Sequence, residues 1–379
     1  MNRTTLNWGI IGGGLMGREF ASALGRWFAL TDADLPDAKL VAVCDLNADA
    51  RDWFKRVPTV AQITDSADAL LANPDVDAVY IALPHHLHRE YYLQALRCEK
   101  DLLAEKPFGI DLESAIEVRD EAAKLGRFVR CSSEIPFFPG AQRVWQALSQ
   151  NVAGVGRILE IRAGFHHSSD LDASKAANWK RLNATCGENG VLNDLGMHVA
   201  HLPLRLGWKP ARVYAQLQKG FAVRPDGRGG TTQCDTWDNA LLHCDVEIGG
   251  EMVPMRWETK RLAPTETNTW FIEVLGTQGG LRFSTKQPKT LYLFQNGAEQ
   301  SWNAIDLGHK SAFATVTGGI FEFGFPDSIL QMLAAFAAER AGVLGERFGM
   351  ATPEEAVASH EIWRAARQSH EQKRAIEIA

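Results

Sequence analysis

Residues 9–17 read GIIGGGLMG, and few stretches this short restrict a fold so tightly. The apolar run LNWGII leading into it has the length and composition of a buried strand, and Met16 to Leu30 reads as a helix. At the strand-to-helix turn, Gly12, Gly14 and Gly17 stand in the order Gly-x-Gly-x-x-Gly, with Gly13, Leu15 and Met16 between them. Each glycine has a physical reason to be there. The first permits a tight turn, the second lets backbone approach a pyrophosphate, and the third allows close helix–strand packing. The helix N-terminus beyond supplies free N–H groups and the positive end of a dipole. The stretch therefore predicts a dinucleotide site on the first βα unit of a Rossmann sheet, with residues 12–17 as its phosphate-facing loop.

The first third of the chain keeps the same rhythm. KLVAVCD, DAVYIALP, DLLAEKP and RFVRCSS read as strands; ADARDWFKR, HREYYLQALR and DLESAIEVRDEAAKLG read as helices. Strands alternating with helices at this spacing form a parallel, doubly wound sheet. EIPFFPG then breaks the pattern with two prolines. Beyond it GRILEIRAGF, ARVYAQLQK, NALLHCDVEIG, MVPMRWETKR, TWFIEVLGTQGGLRFS and KTLYLFQ have the alternation of a mostly antiparallel sheet with one covered face. VLNDLGMHVAHLPLRLG and DSILQMLAAFAAERAG read as helices within this half, and a last helix starts at Thr352 as N-cap with Pro353 in its first position. A chain of 379 residues exceeds one ordinary core. The expected organisation is an α/β Rossmann domain over 1–135 and an α+β substrate and oligomerisation domain over 136–379, with the last helix able to pack back on the first domain.

Charge and cysteines bound the partners. A formal net charge of -6 offers no basic footprint for nucleic acid. No apolar run reaches the roughly 18 residues of a membrane span, and the early first strand leaves no place for a signal peptide. The six cysteines are scattered without a C-x-x-C pair, which fits reduced thiols in a cytoplasm and no zinc site. The histidines at 85, 86 and 88, and Asp194, His198 and His201, are explained without a metal, so none is expected.

Two further groups carry chemistry. Asp45 closes the second strand, where a carboxylate accepts hydrogen bonds from the adenosine ribose and repels a 2′-phosphate; NAD is therefore expected over NADP. Its distance from Gly17 exceeds the usual offset of roughly 20 residues, and the insertion-like LTDADLPDA accounts for the excess. Removing a hydride from an alcohol also requires a base for the hydroxyl proton and a donor to hold the oxygen. AEKP supplies Glu105 and Lys106 at a strand end, and GVLNDLGMHVAHL places Asp194 and His198 one helical turn apart on a shared face. FHHSSD and NWKRLNATCGENG precede that helix. His166, Trp179, Lys180, Arg181 and Asn193 are the candidates from this region to line a substrate pocket.

GIIGGGLMG, IALPHHLH, EKP and NDLGMH occur in the order seen in the Gfo/Idh/MocA oxidoreductases, which this chain resembles over essentially its whole length. The resemblance implies NAD as cofactor and a sugar, sugar derivative or cyclitol as substrate. By position, Lys106 matches the catalytic lysine, and Asp194 and His198 match the active-site aspartate and histidine. Pro84 and His88 match a segment beside the cofactor in which His85 replaces the usual asparagine. His198 would then serve as base, Lys106 as oxygen-polarising donor and Asp194 as substrate anchor and partner of His198. A homodimer or homotetramer is expected by the same analogy. Two rivals keep the fold: a redox-neutral glycoside hydrolase that oxidises, eliminates and re-reduces on bound NAD, and an NAD-sensing protein without turnover.

Overall fold

The computed structural model describes residues 5–150, 154–297, 299–308, 311–318 and 323–378. The first sheet alternates strands β1 (Thr5–Ile11), β2 (Asp37–Cys44), β3 (Gln62–Thr64), β4 (Ala78–Ile81), β5 (Asp101–Ala104) and β6 (Val129–Cys131) with helices α1 (Leu15–Gly25), α2 (Ala48–Phe54), α3 (Ala67–Leu71), α4 (His85–Arg97) and α5 (Leu112–Leu125). Its six strands run parallel in the order β3-β2-β1-β4-β5-β6. The order reverses between β1 and β4, and such a switch point opens a crevice at the carboxyl ends of the strands. Local chemistry sets the helix ends: the Asn47 side chain accepts from Asp49 N–H, the Asp111 side chain accepts from Ser114 N–H, and Gly126 closes α5 with φ 62°.

Helix α1 is shorter than its apolar pattern suggests. It stops at Gly25, and a separate 3₁₀ turn covers Trp27–Ala29. The two-proline stretch also holds more structure than a break: Pro139 takes the first position of α6 (Pro139–Ser149), which buries Ala141, Val144 and Ala147 at a spacing of one helical turn. β3 and α3, short and only partly apolar, give no comparable periodic signal.

The second sheet is assembled from β7 (Ile158–His166), β8 (Pro210–Gln218), β11 (Asn239–Ile248), β12 (Glu251–Lys260), β13 (Thr269–Gly276), β14 (Gly279–Ser284), β15 (Thr290–Gln295), β16 (Asn303–Asp306) and β17 (Ile376–Glu377). A small ribbon of β9 (Val223–Pro225) and β10 (Thr231–Gln233) stands apart. The nine strands follow the order β16-β15-β14-β13-β7-β12-β11-β8-β17, antiparallel except where β7 meets β12. Helices α7 (Asn183–Cys186) and α8 (Val191–Arg205) lie between β7 and β8 in sequence, and α9 (Phe325–Arg340) and α10 (Pro353–Gln372) come late. α8 covers the sheet face built by Ile161, Ala163, Leu242 and Trp257.

The two late helices return to the first sheet. α9 lies by sequence in the expected second domain, yet its Ile329, Leu333 and Phe336 belong to the core of Trp8, Ile10, Phe20 and Tyr80. Trp8 meets Phe336 with ring centroids 4.8 Å apart, and Arg26 of the α1 end pairs with Asp327 at 2.6 Å. The physical cause is composition: α9 is apolar on nearly every side, so it must be enclosed by more than one layer. α10 begins with a capping box between Thr352 and Glu355 and straddles both halves. Ala356 and Val357 enter the core of Leu102 and Val118, whereas Ile362 and Trp363 enter that of the second sheet.

Candidate active site

A cavity of about 640 Å³ runs from the ends of β1 and β2 to the N-terminal turns of α8. Gly12, Gly14, Leu15, Met16, Asp45 and Pro84 line one end; His85, Glu105, Lys106, Trp179, Lys180 and Asp194 line the other. A larger hollow of about 920 Å³, bordered by Asp32, Gln142, Arg143 and Arg347, holds none of the residues singled out by sequence.

The glycine loop fits a dinucleotide on steric grounds. Gly12 has φ 104°, and a Cβ there would lie 2.4 Å from Ala82 O; a Cβ on Gly17 would lie 2.2 Å from Gly12 O. Gly14, by contrast, faces open space, and among the described residues no side chain caps the N–H groups of the first turn of α1. Backbone donors are thus left for an anionic group, with room to approach them. The Asp45 carboxylate borders the same end and accepts from Gly13 N–H at 2.6 Å and Asn47 N–H at 2.7 Å. It therefore braces the loop as well as facing the cavity, while α2 is capped by Asn47 instead.

At the other end, strand β5 delivers Lys106 beyond Ala104. Its Nζ donates to Asp194 O at 2.7 Å and to Asp194 Oδ1 at 3.1 Å. Lys180 Nζ donates to the same Oδ1 at 2.8 Å, and Arg261 Nε to Oδ2 at 3.1 Å. Three cations share one carboxylate that is only 4% exposed. Burial opposes ionisation of Asp194, but Lys180, Lys106 and Arg261 outweigh it and hold the carboxyl well below its usual range. Burial likewise opposes the charge of Lys106, yet Asp194, Glu105 and Glu134 raise its pKa above the ordinary lysine value. Lys180 shifts the other way: burial leads, and Lys106 and Arg261 add repulsion that Asp194 does not offset. An oxygen placed here meets a fixed ammonium and a second ammonium that gives up its proton more readily.

His198 shares the helix with Asp194 as its spacing suggests, but not the expected partnership. No hydrogen bond joins it to Asp194 among the described residues, because the Asp194 carboxylate is turned to the cations. Its Nδ1 instead faces Ser133 Oγ at 3.5 Å and Glu134 Oε2 at 3.9 Å. The ring is 2% exposed and meets Phe165 edge-on, one helical turn along α8 from Asp194 of the cavity lining. Burial and then Lys106 push its pKa well below the histidine value, against the pull of Asp194.

Several candidates have structural roles. Arg181 points away from the cavity and is buried against Asp170 and Asp238, the latter at 3.6 Å. Asn193 ties the backbone, donating to Ile110 O at 2.9 Å and Cys186 O at 3.0 Å. His166 turns to Glu258 at 3.3 Å and Phe271, on the other side of the sheet. Strand alternation explains this: Phe165 and His167 share the side facing α8. His167 stands near enough to Asp194, Lys106 and Lys180 for all three to act on its charge. His88 is wholly buried, its ring nitrogens 2.8 Å from Pro107 O and Leu83 O, and burial pushes it down to about 4. A neutral ring donates to one of those carbonyls, holding the Leu83–Pro84 turn against the Lys106–Pro107 turn. His85 bonds Cys186 O at 2.9 Å and meets Trp179 edge-on at 4.7 Å, so it links the two halves of the cavity wall. Glu105 accepts from Tyr80 Oη at 2.5 Å beneath Lys106. Arg261 and Glu134 carry no sequence motif; tertiary packing alone brings them here.

Comparison with known proteins adds an independent finding. The family model described as an oxidoreductase family with NAD-binding Rossmann fold matches residues 6–132. An uncharacterized oxidoreductase of Rhizobium meliloti is 32% identical over 49% of this chain and 56% of its own length. Glucose-6-phosphate 3-dehydrogenase of Bacillus subtilis (strain 168) is 30% identical over 74% of this chain and 75% of its own. The chain spans less than two thirds of some curated relatives, the Rhizobium protein at 56% and the mouse trans-1,2-dihydrobenzene-1,2-diol dehydrogenase at 59% among them. Among solved structures, levoglucosan dehydrogenase in complex with NADH and L-sorbose superposes with TM-score 0.87 at 20% identity, covering 99% of each chain. That likeness establishes the shared fold.

Proposed function

The chain belongs to the Gfo/Idh/MocA oxidoreductases, and from that premise we propose that it oxidises a secondary alcohol of a sugar, sugar derivative or cyclitol with NAD. The observation that carries this reading is the convergence of Lys106, Lys180 and Arg261 on Asp194 at the far end of the cavity from Gly14. NAD, when bound, supplies the hydride acceptor. Gly12, Gly14 and the first turn of α1 would hold its phosphates, and Asp45 its adenosine ribose. Lys106 donates to the reacting oxygen and stabilises the charge that grows there; Asp194 aims both lysines. His198 receives the hydroxyl proton. Two of the four relatives named above, glucose-6-phosphate 3-dehydrogenase and levoglucosan dehydrogenase, are named for carbohydrate substrates, which supports a carbohydrate as the substrate class.

A panel of sugars, sugar phosphates, inositols and glycosides with NAD, followed by absorbance of the reduced cofactor, tests the reading. One reduced cofactor per product is expected. Product without net reduction would indicate the redox-neutral glycosidase cycle, and tight NAD binding without turnover of any panel member would indicate a sensor.

Cofactor choice is expected to follow Asp45. NAD should bind more tightly than NADP, and Asp45→Ala should weaken NAD by about 1–3 kcal/mol, the range for a hydrogen bond to a charged group. NADP affinity should change less, because the same substitution removes repulsion of the 2′-phosphate. Calorimetric titration with both cofactors checks this, and equal affinities in the unmodified protein would defeat it.

A further inference from the structure

The pairing of His198 with a carboxylate other than Asp194 has a consequence for proton transfer. Glu134 follows β6, is 5% exposed, and presents Oε2 to His198 Nδ1 at 3.9 Å with Ser133 Oγ alongside. This separation is an ion-pair distance that a small side-chain movement closes, as commonly happens when an active site fills. From this geometry we propose that Glu134 is the positioning residue that decides which ring nitrogen of His198 carries the proton. The proposal rests on the reading of His198 as the base.

Donor and acceptor capacities fix the direction of the effect. An ionised Glu134 only accepts, so it fixes the proton on Nδ1 and leaves the Nε2 lone pair for a substrate hydroxyl. A protonated Glu134 donates to Nδ1, forces the proton to Nε2, and disables the base. In oxidation the C–H bond breaks with its electron pair leaving to NAD, and the alcohol becomes a carbonyl. Its O–H proton goes to Nε2, while the Nδ1 proton moves to the Glu134 carboxylate.

The surroundings place this switch in a useful range. Burial and Glu105 raise Glu134 to about 7, against Lys106. Tyr80 and Cys131 also lie within the field of Glu134, and both are held neutral by burial. On the histidine side the facing groups are Lys106, Asp194, His167 and His201; His201 is itself pushed down to about 3 by burial, so it adds no charge near neutrality. Glu134 thus shares the lysine with a second carboxylate, and burial makes it hold its proton longer than an exposed carboxyl would.

The test reads the tautomer directly and needs no turnover. In protein carrying ¹⁵N-histidine, the His198 signals, assigned by their loss in His198→Gln, should change from the Nε2–H to the Nδ1–H pattern as pH rises through about 7. In Glu134→Gln that change should disappear. Glu134→Asp, which keeps a carboxyl on a shorter arm, should retain it with a displaced midpoint. With an active substrate, wild-type kcat for oxidation should fall about tenfold per pH unit below 7, as loss of a single base requires. In Glu134→Gln it should vary less than about twofold between pH 6 and 8, with KM little changed. A His198 tautomer that is constant with pH, or a transition that persists in Glu134→Gln, would overturn the proposal. If no sugar or polyol is oxidised, the reading of the reaction fails, whereas the tautomer measurement still decides the role of Glu134.

Discussion

Lys106→Met should lower kcat by about 10²–10³-fold, the usual loss for one preorganised donor to a developing oxyanion. Lys106 is the better fixed of the two ammoniums at Asp194, bonded to its backbone oxygen as well as its carboxylate. Charge on the reacting oxygen changes most between ground state and transition state, so the loss should fall on kcat more than on binding. Cofactor affinity should change far less, because Lys106 sits at the opposite end of the cavity from the glycine loop. Asp194 would still be held by Lys180 and Arg261, which protects the fold around it. Stopped-flow measurement of reduced cofactor, with a fluorescence titration of cofactor binding, separates the two effects. An unchanged kcat would make Lys106 a strand-end charge with no part in the reaction.

His198→Gln should cost about 10²–10⁴-fold in kcat, the share usual for general base catalysis. Glutamine keeps some hydrogen bonding to Ser133 and Glu134 but has no lone-pair nitrogen to accept a proton. Burial and Lys106 hold His198 well below its ordinary pKa, so the wild-type ring stays neutral throughout the working range, and its competence as a base depends on which nitrogen carries the proton. It follows that His198 does not itself produce an acid limb between pH 6 and 8. The limb expected near 7 would come from Glu134, and it should vanish in His198→Gln as well, since Glu134 then has no base to orient. Cofactor affinity should stay within about twofold, because α8 meets the cavity at Asp194, at the end opposite the glycine loop. Retention of rate would show that a group other than His198 takes the proton, and Lys180, the ammonium with the lowered pKa, would be the next to test.

The Rossmann half of the site could be read from the chain because its chemistry is local. Gly17 is required by a backbone contact with Gly12 and Gly12 by its own φ of 104°, so a nine-residue stretch contains a reason for each, to which Ala82 of the adjacent strand end adds a second for Gly12. Lys106, Lys180 and Asp194 were visible as residue types, but not which would meet. Helical spacing put Asp194 and His198 on one face, and that much is correct; it could not show that Arg261 and two lysines take the carboxylate. Period-two alternation along β7 would have chosen His167 over His166, a signal present in the chain and easily lost in a loop-like stretch. Glu134 and Arg261 were not legible, because each matters only through neighbours distant in sequence. The same holds for α9, whose apolar surface announces burial but not against which sheet.

That return of α9 bears on how such a protein can diversify. The stretch from β1 to β6 looks like a module, yet Trp8, Phe20 and Tyr80 would lose part of their cover without a helix encoded late in the chain. Cutting the gene after residue 135 would therefore yield a fragment with a bare aromatic face, prone to self-association. Exchanging whole halves between relatives meets the same obstacle, since the second half carries part of the first half's lining. The segments free to vary are those that lead to the cavity without crossing either core, such as the largely exposed stretch from Leu171 to Asn178 ahead of Trp179. New substrate preferences are thus expected to arise by rewriting that rim while the two interlocked cores are inherited as one piece.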